Sequence, residues 1–168
     1  RCPLVGPLGC AQLTVLKSGR ALGLVCHLLN GRSARENNVE ETSVATQYNQ
    51  AAFGQLREAG VDLQNFVYYK SDGHFAQCAS HYFVMTASAD SLLTMGALRS
   101  VDCAAGMCSA ANVACTILER YARRAVAQFK PELADNALVP GTVQIFDFSE
   151  RKQSNRAAMA VAASPLGS

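Results

Sequence analysis

Apolar and polar positions along the chain form short blocks, and the first of these blocks predict strands. Arg20–Leu29 is almost continuously apolar, a pattern typical of a buried strand. Asn30–Ser33 predicts a turn, because Asn and Gly tolerate positive φ angles. The stretch Glu36–Glu41 is polar and is expected to be exposed, and the β-branched residues of Thr42–Tyr48 predict a second strand.

Two aromatic blocks in the middle of the chain predict a pair of neighbouring strands. They are Asn65–Lys70 and Ser80–Thr86, and the polar linker Ser71–Ala79 between them indicates a hairpin with a long loop. A last strand is expected at Thr142–Phe148, and a short one at Gln12–Leu16 near the start.

Three blocks carry helical spacing. Gln50–Ala59 follows a capping residue, Asn49, and Ala89–Leu98 is a second short helix. The strongest pattern is Ala110–Phe129, in which apolar residues recur every four positions. The Ala-rich tail from Ser149 is expected to begin a further helix. Together the blocks predict an α+β fold, with about five strands in a mixed or antiparallel sheet and helices on one face.

Composition narrows the class of protein. The chain has 168 residues, of which 49% are hydrophobic and 17% charged, which fits one domain or part of one and argues against a disordered tail. A net charge of +2 gives no electrostatic case for nucleic acid, and no apolar run is long enough to predict a membrane span. Because the first residue is Arg1, we expect a segment of a longer protein.

The seven cysteines indicate reduced thiols in a cytosolic compartment. Cys26 and Cys115 lie among apolar residues and are expected to be small buried side chains. Cys103 and Cys108 form a close pair downstream of two histidines, but their spacing does not match known zinc sites. No metal site is therefore predicted.

Motifs for common cofactors and nucleophiles are absent from the sequence. It contains no G-x-G-x-x-G, no P-loop and no G-x-S-x-G. Asp147 is a candidate functional carboxylate, and the alternative is a carboxylate at a strand end that is satisfied by nearby N–H groups. Arg120, Arg123 and Arg124 share one helix face, which is either a partner-binding patch or a solvated surface.

The densest aromatic group lies on the two central strands. Strand alternation places Tyr82 on one face and both His81 and Phe83 on the other, and it separates Tyr68 from Tyr69 in the same way. One face must be core. The other either packs within the sheet or presents its rings to a planar ligand or a channel.

These same residues resemble the MICAL family of flavoprotein monooxygenases. The similarity runs in order over residues 20–162 and is most specific in the string His81–Ala87 and in Phe146–Ser149. It also includes the helix–strand segment Phe53–Lys70, the acidic stretch within Asn30–Glu41, Ser91–Leu93 with Gly96, and Tyr121–Arg123 with Phe129.

The resemblance implies the fold of FAD-dependent aromatic hydroxylases of the p-hydroxybenzoate hydroxylase type. It further implies NADPH and O₂ as reactants, oxidation of methionine in F-actin with filament disassembly, and a cytoplasmic, cytoskeleton-associated protein. The matched region corresponds to the sheet on the substrate side of the flavin. Tyr82 falls on the family tyrosine near the flavin and the channel, and His81 and Phe83 flank it.

The chain departs from the family pattern, and these departures determine what we expect the chain alone to bind and catalyse. The Gly-rich phosphate loop and the Gly-Asp motif with its tryptophan have no counterpart, and the chain has no Trp. We therefore expect no FAD to bind the segment alone and the segment alone to be inactive. Residues 1–19 are expected to be an irregular lead-in, 20–162 part of the monooxygenase domain, and 163–168 a tail, with an insertion at Gly73–Ala79.

Two other functions stay open from the sequence. The segment fits a non-catalytic scaffold or interaction module derived from the same fold, which NADPH oxidation by the intact protein would exclude. It also fits an unrelated α+β domain that binds a small molecule, although that hypothesis leaves the string beginning at His81 unexplained.

Overall fold

The computed structural model describes residues 13–17, 21–71, 79–148 and 150–154. The chain divides into two compact units, one formed by Arg20–Phe148 and the other by Arg1–Gly19 together with Ser149–Ser168. The strands, in chain order, are β1 (Leu13–Lys17), β2 (Ala21–Leu29), β3 (Thr42–Ala45), β4 (Leu63–Ser71), β5 (Ser80–Ser88), β6 (Gln144–Asp147) and β7 (Glu150–Ser154). The helices are α1 (Ala34–Asn37), α2 (Gln50–Glu58), α3 (Ala89–Thr94) and α4 (Cys115–Phe129), followed by a 3₁₀ turn at Pro131–Leu133.

The larger unit is built on a five-stranded sheet in the order β3-β4-β5-β2-β6. Every neighbouring pair is antiparallel, so the α+β class and the antiparallel sheet predicted from the sequence are confirmed. The two aromatic strands pair with each other as expected, with Tyr68 opposite Phe83 and Tyr69 opposite Tyr82. Most of the predicted insertion Gly73–Ala79 and most of the linker Ser71–Ala79 lie outside the described residues.

One face of this sheet forms the core with α2 and α4. Leu24, Cys26 and Phe83 have no exposed surface, and they belong to a single cluster with the inner side of α4. The ring of Phe129 at the end of α4 stacks on Phe66 of β4 and also contacts Phe53 of α2, with centroids 4.7 and 4.8 Å apart. Aromatic contacts of this kind lock helix to sheet beyond simple area burial.

Helix ends differ from the predicted ones where loop contacts replace helical hydrogen bonds. Helix α4 begins at Cys115 rather than at Ala110, because Asn112 is engaged in the preceding loop through bonds to Ser100 and Met107. The buried stripe of α4 starts only at Leu118, so the expectation that Cys115 is buried is wrong. Cys26 is buried as predicted, and burial raises the pKa of its thiol to about 12.

The polar stretch after the first strand is the largest error of the sequence prediction in the larger unit. Within Glu36–Glu41, which we expected to be exposed, Glu36 and Val39 are buried. Ser33 begins α1 with a capping box, in which its hydroxyl accepts from the backbone N–H of Glu36 and the Glu36 carboxylate accepts from the backbone N–H of Ser33. The carboxylate is therefore turned back into the fold instead of into water.

In the described residues of the smaller unit, β1 pairs with β7 in antiparallel orientation. Leu13 pairs with Ser154 and Lys17 with Glu150. The expected helix after Ser149 is therefore wrong over Glu150–Ser154, because pairing with a strand far away in sequence fixes the extended conformation. The Ala-rich remainder of the tail lies outside the described residues.

Candidate functional site

The side of the sheet that faces away from α2 and α4 is here called the open face. Side chains alternate between the two faces along each strand, so every second residue of the central strands belongs to it. Strand register places its members side by side: Val25, His27, Tyr82, Val84, Thr86, Val67, Tyr69, Gln144 and Phe146. Most of these are half-buried, whereas Tyr69, Gln144 and Phe146 are exposed.

Three rings form a row across the open face. Tyr82 lies between Tyr69 on one side and His27 on the other. The Tyr82 and His27 rings are stacked with centroids 4.5 Å apart and planes 28° apart, and the Tyr69 ring lies 6.5 Å away at 25°. Cross-strand stacking of this kind holds each ring in a defined orientation.

A recess of about 250 Å³ lies at one end of this row. Its lining combines three rings and an aliphatic side chain with two polar side chains, which suits a flat apolar ligand with a polar edge. We call it the aromatic recess, and it is lined by Val25, His27, Tyr82, Thr142, Gln144 and Phe146.

Gly23 continues the open face towards the end of β6. A Cβ atom at Gly23 would clash with Cε2 of Phe148, so the Phe148 ring lies directly against the backbone of β2. The Phe148 side chain is 54% exposed. The glycine thus makes room for an aromatic ring at the edge of the open face.

Contacts on both sides of His27 fix its position in the recess. Its Nδ1 lies 2.9 Å from Oγ of the fully buried Ser80, and its backbone N–H donates to Oγ1 of Thr142 at 3.2 Å. Burial lowers the pKa of its imidazole below the ordinary value, so the ring is neutral at pH 7. Sequence reasoning placed His27 only in an apolar run, although alternation with Cys26 and Leu28 could have placed it on the open face.

The opposite face carries a buried polar chain. His81 has no exposed surface, and its Nδ1 lies 2.8 Å from the hydroxyl oxygen of Tyr68. Its Nε2 lies 3.4 Å from Oε1 of Glu36. Burial lowers the pKa of the His81 imidazole, and this effect is larger than the opposite effect of the neighbouring Glu36 carboxylate, which raises the pKa.

The Glu36 carboxylate is the centre of this chain. Besides His81, it accepts hydrogen bonds from the Ser33 hydroxyl at 2.6 Å, from the backbone N–H groups of Gly31 and Ser33 at 2.9 Å, and from the Asn136 amide at 2.6 Å. These donors, the Ser33 hydroxyl first, lower the pKa of the carboxyl to about 2. A carboxylate so fully bonded holds the structure together and has little capacity left for a ligand.

A second, larger cavity of about 380 Å³ lies beside Glu36. Its polar lining includes Asp135 and Asn136, but the Glu36 carboxylate and the Asn136 amide are bonded to each other. The aromatic recess, whose rings are turned towards its space, is therefore the better candidate for a functional site.

The structure separates the three site residues expected from the sequence. Tyr82 lies on the open face and lines the recess, whereas His81 and Phe83 lie in the core on the other face. This is the alternation predicted for β5. Asp147 is exposed at the end of β6.

The other candidate side chains lie away from the recess. Arg123 donates to the carbonyl groups of Ala134 and Asn136, and Arg124 donates to that of Ala59, so both fix loops to α4. Cys103 and Cys108 are free thiols, and no group of three or more His, Cys, Asp or Glu residues could hold a metal ion within the described part of the chain.

Comparison with known proteins assigns the family. The family profile described as "Mical, Rossman domain" matches residues 20–147, which is nearly all of the larger unit. The chain belongs to the MICAL Rossmann-domain family. The resemblance identified from the sequence is therefore confirmed, and within the described residues the matched region is an antiparallel sheet with helices on one face.

Several MICAL proteins are similar to most of the chain. The F-actin monooxygenase MICAL1 is 38% identical over 148 residues in both Rattus norvegicus and Homo sapiens, covering 82% of this chain and 13% of either relative. The protein-methionine sulfoxide oxidase mical3a of Danio rerio is 39% identical over 149 residues, which is 83% of this chain and 7% of the relative. The chain thus spans a small part of the length of these MICAL proteins.

The longest described helix, α4, has 15 residues, and no described helix is long and apolar enough to cross a membrane.

Proposed function

We propose that this chain is a segment of an FAD- and NADPH-dependent monooxygenase that oxidises methionine in F-actin and so promotes filament disassembly. Residues 20–162 form part of its monooxygenase domain, and the open face is turned towards the reacting groups. The observation that carries this proposal is that Tyr82, which the resemblance implies is the family tyrosine near the flavin, lines the aromatic recess beside His27.

The names of the similar proteins support the reaction class. MICAL1 of rat and human is named an F-actin monooxygenase, and mical3a of zebrafish a protein-methionine sulfoxide oxidase. Oxidation turns the apolar thioether of methionine into a polar sulfoxide, which weakens a packed interface between subunits. F-actin as partner and a cytoplasmic, cytoskeleton-associated location are part of the same proposal.

The residues present fit the part of an FAD site that holds the flavin ring system, and they do not fit the part that holds the pyrophosphate. The row of rings beside Val25 offers a flat wall to an aromatic ring system. The pyrophosphate needs a Gly-rich turn that leads into a helix, and the sequence has none. Flavin and NADPH would supply the redox chemistry in the full-length protein, whereas this segment alone would bind neither and would be inactive.

The three site residues then have different roles. Tyr82 is a wall of the reacting region, where its ring limits what can approach and keeps water out. His81 and Phe83 hold β5 from the core side, His81 through its bonds to Tyr68 and Glu36. They position Tyr82 without touching what occupies the recess.

The test uses the full-length protein with Tyr82→Ala, and Tyr48→Ala as a matched control, since Tyr48 is 85% exposed on a turn. Flavin absorbance, NADPH oxidation and methionine sulfoxide in F-actin, measured by mass spectrometry, are compared. We expect all three in the parent, a kcat/KM at least about tenfold lower in Tyr82→Ala, equivalent to about 1.4 kcal/mol, and an unchanged control. A parent without flavin or NADPH oxidation would contradict the proposal and support a scaffold.

A further inference from the structure

In the aromatic recess, the two ring nitrogens of His27 differ in their hydrogen bonding. Nδ1 is held by Oγ of Ser80 at 2.9 Å. For Nε2, the described residues provide no hydrogen-bond partner. The other histidine of the central sheet differs, since both ring nitrogens of His81 have partners.

The backbone around His27 is also fixed. Its N–H donates to Oγ1 of Thr142 and its carbonyl accepts from the N–H of Val139 at 2.9 Å, while the Thr142 hydroxyl donates to the Val139 carbonyl at 2.7 Å. The turn before β6 is thereby tied to β2, and it brings Thr142 and Gln144 to the recess. Because the ring stacks on Tyr82 and its Nδ1 is hydrogen-bonded to Ser80, it has little freedom to turn.

We propose that His27 is the hydrogen-bonding residue of the aromatic recess and contacts the group that occupies it through Nε2. The occupant that fits this lining is a flat group with an amide or carbonyl edge, because rings and Val25 form the walls and His27 and Gln144 supply polar atoms. The recess, at about 250 Å³, admits a single ring system rather than a whole dinucleotide. This proposal rests on the proposed function for the identity of the reaction. The contact between Nε2 of His27 and the occupant of the recess does not depend on that function.

Two substitutions separate the nitrogens of His27. In His27→Gln the side-chain amide nitrogen reaches the place of Nε2, whereas in His27→Asn it reaches the place of Nδ1 and keeps the bond to Ser80. A role in the recess predicts that, in the full-length protein, His27→Asn raises the KM for NADPH or F-actin about tenfold, the effect of losing one hydrogen bond. His27→Gln should stay within about threefold of the parent, because it keeps that hydrogen bond. Equal losses in both variants, or a loss in His27→Gln alone, would overturn the proposal.

Chemical labelling tests the free nitrogen without any turnover. Diethyl pyrocarbonate carbethoxylates neutral imidazole, and peptide mass spectrometry resolves each histidine of the full-length protein. We expect His27 to be labelled and the fully buried His81 to resist labelling. We also expect flavin-loaded protein with F-actin to show slower labelling of His27 than flavin-free protein. An unlabelled His27, or a labelling rate independent of these additions, would overturn the proposal.

The two proposals fail in different ways. A full-length protein that lacks flavin absorbance and NADPH oxidation contradicts the monooxygenase function, yet His27 labelling still reports whether Nε2 is accessible. A flavoprotein with normal turnover in His27→Asn contradicts the role of His27 and leaves the monooxygenase function in place.

Discussion

The carboxylate of Glu36 meets the imidazole of His81 inside the fold, with 3.4 Å between Oε1 and Nε2 across 45 residues of sequence. The contact connects the short helix α1 to the core side of β5, directly behind Tyr82. Because Glu36 also accepts bonds from Gly31, Ser33 and Asn136, one carboxylate joins two loops to the central sheet. It therefore stabilises the strand from which Tyr82 projects.

Replacing Glu36 should destabilise the fold although the residue lies in a polar stretch. In Glu36→Gln the new amide N–H₂ meets donors where an acceptor is required, so we expect a loss of about 2 kcal/mol in the free energy of unfolding. The matched control is Glu40→Gln, since Glu40 is exposed. Urea denaturation measures both, and equal stability of the two variants would contradict the structural role of Glu36.

The same carboxylate predicts a dependence of stability on pH. Its pKa is lowered from 4.5 to about 2 in the folded chain, chiefly by the Ser33 hydroxyl. The unfolded chain therefore binds more protons between these values, and stability from Glu36 is complete above about pH 4.5 and lost as the pH falls towards 2. Denaturation across this range should give a shallower slope in Glu36→Gln, while Glu40→Gln should retain the parental slope.

Gly23 and Phe148 should behave as a coupled pair. A methyl group at Gly23 would occupy the place of the Phe148 ring, so we expect Gly23→Ala to displace the ring and destabilise by about 1 kcal/mol. In the background of Phe148→Ala the same change should be neutral or stabilise by about 0.5 kcal/mol, because Ala is better than Gly in a strand. A double-mutant cycle from urea midpoints checks this, and simple additivity would argue against the contact.

Substitution of Phe83 should chiefly lower stability, whereas substitution of Tyr82 should chiefly lower activity. Phe83 is fully buried, so Phe83→Ala should cost about 3–5 kcal/mol of unfolding free energy, as for other large core side chains. Tyr82 is half-buried and stacks on His27, so Tyr82→Ala should cost about 1 kcal/mol. Thermal denaturation and NADPH oxidation, both measured on each of the two variants, test this prediction. A Tyr82→Ala protein as unstable as Phe83→Ala would indicate that Tyr82 is a core residue.

Sequence alone was sufficient for features that depend on neighbouring residues. The alternation along β5 correctly assigned Tyr82 and its neighbours to opposite faces, because the side-chain period of a strand is two residues whatever it pairs with. The helix predicted over Gln50–Ala59 matches α2, and Gly60 just beyond its end has φ +86°, a conformation that suits glycine. The family was recognisable from ordered motifs such as the string beginning at His81.

Features that depend on distant partners were missed or misplaced. The stretch with Glu36 looked like a solvated loop, since nothing nearby in sequence announces Asn136 or His81. The strand at Glu150–Ser154 exists through its pairing with Leu13–Lys17, which local composition does not encode.

Sequence thus determined the α+β class, the order of the central elements, the face of each β5 residue and membership of the MICAL family. Tertiary structure alone decided that His27 stacks on Tyr82, because only the register between β2 and β5 sets two residues so far apart side by side. The tertiary structure also decided that the Glu36 carboxylate is buried on the core side of the sheet, behind that pair. The physical reason is that local patterning fixes which way a side chain points, whereas strand register and loop closure fix what it meets.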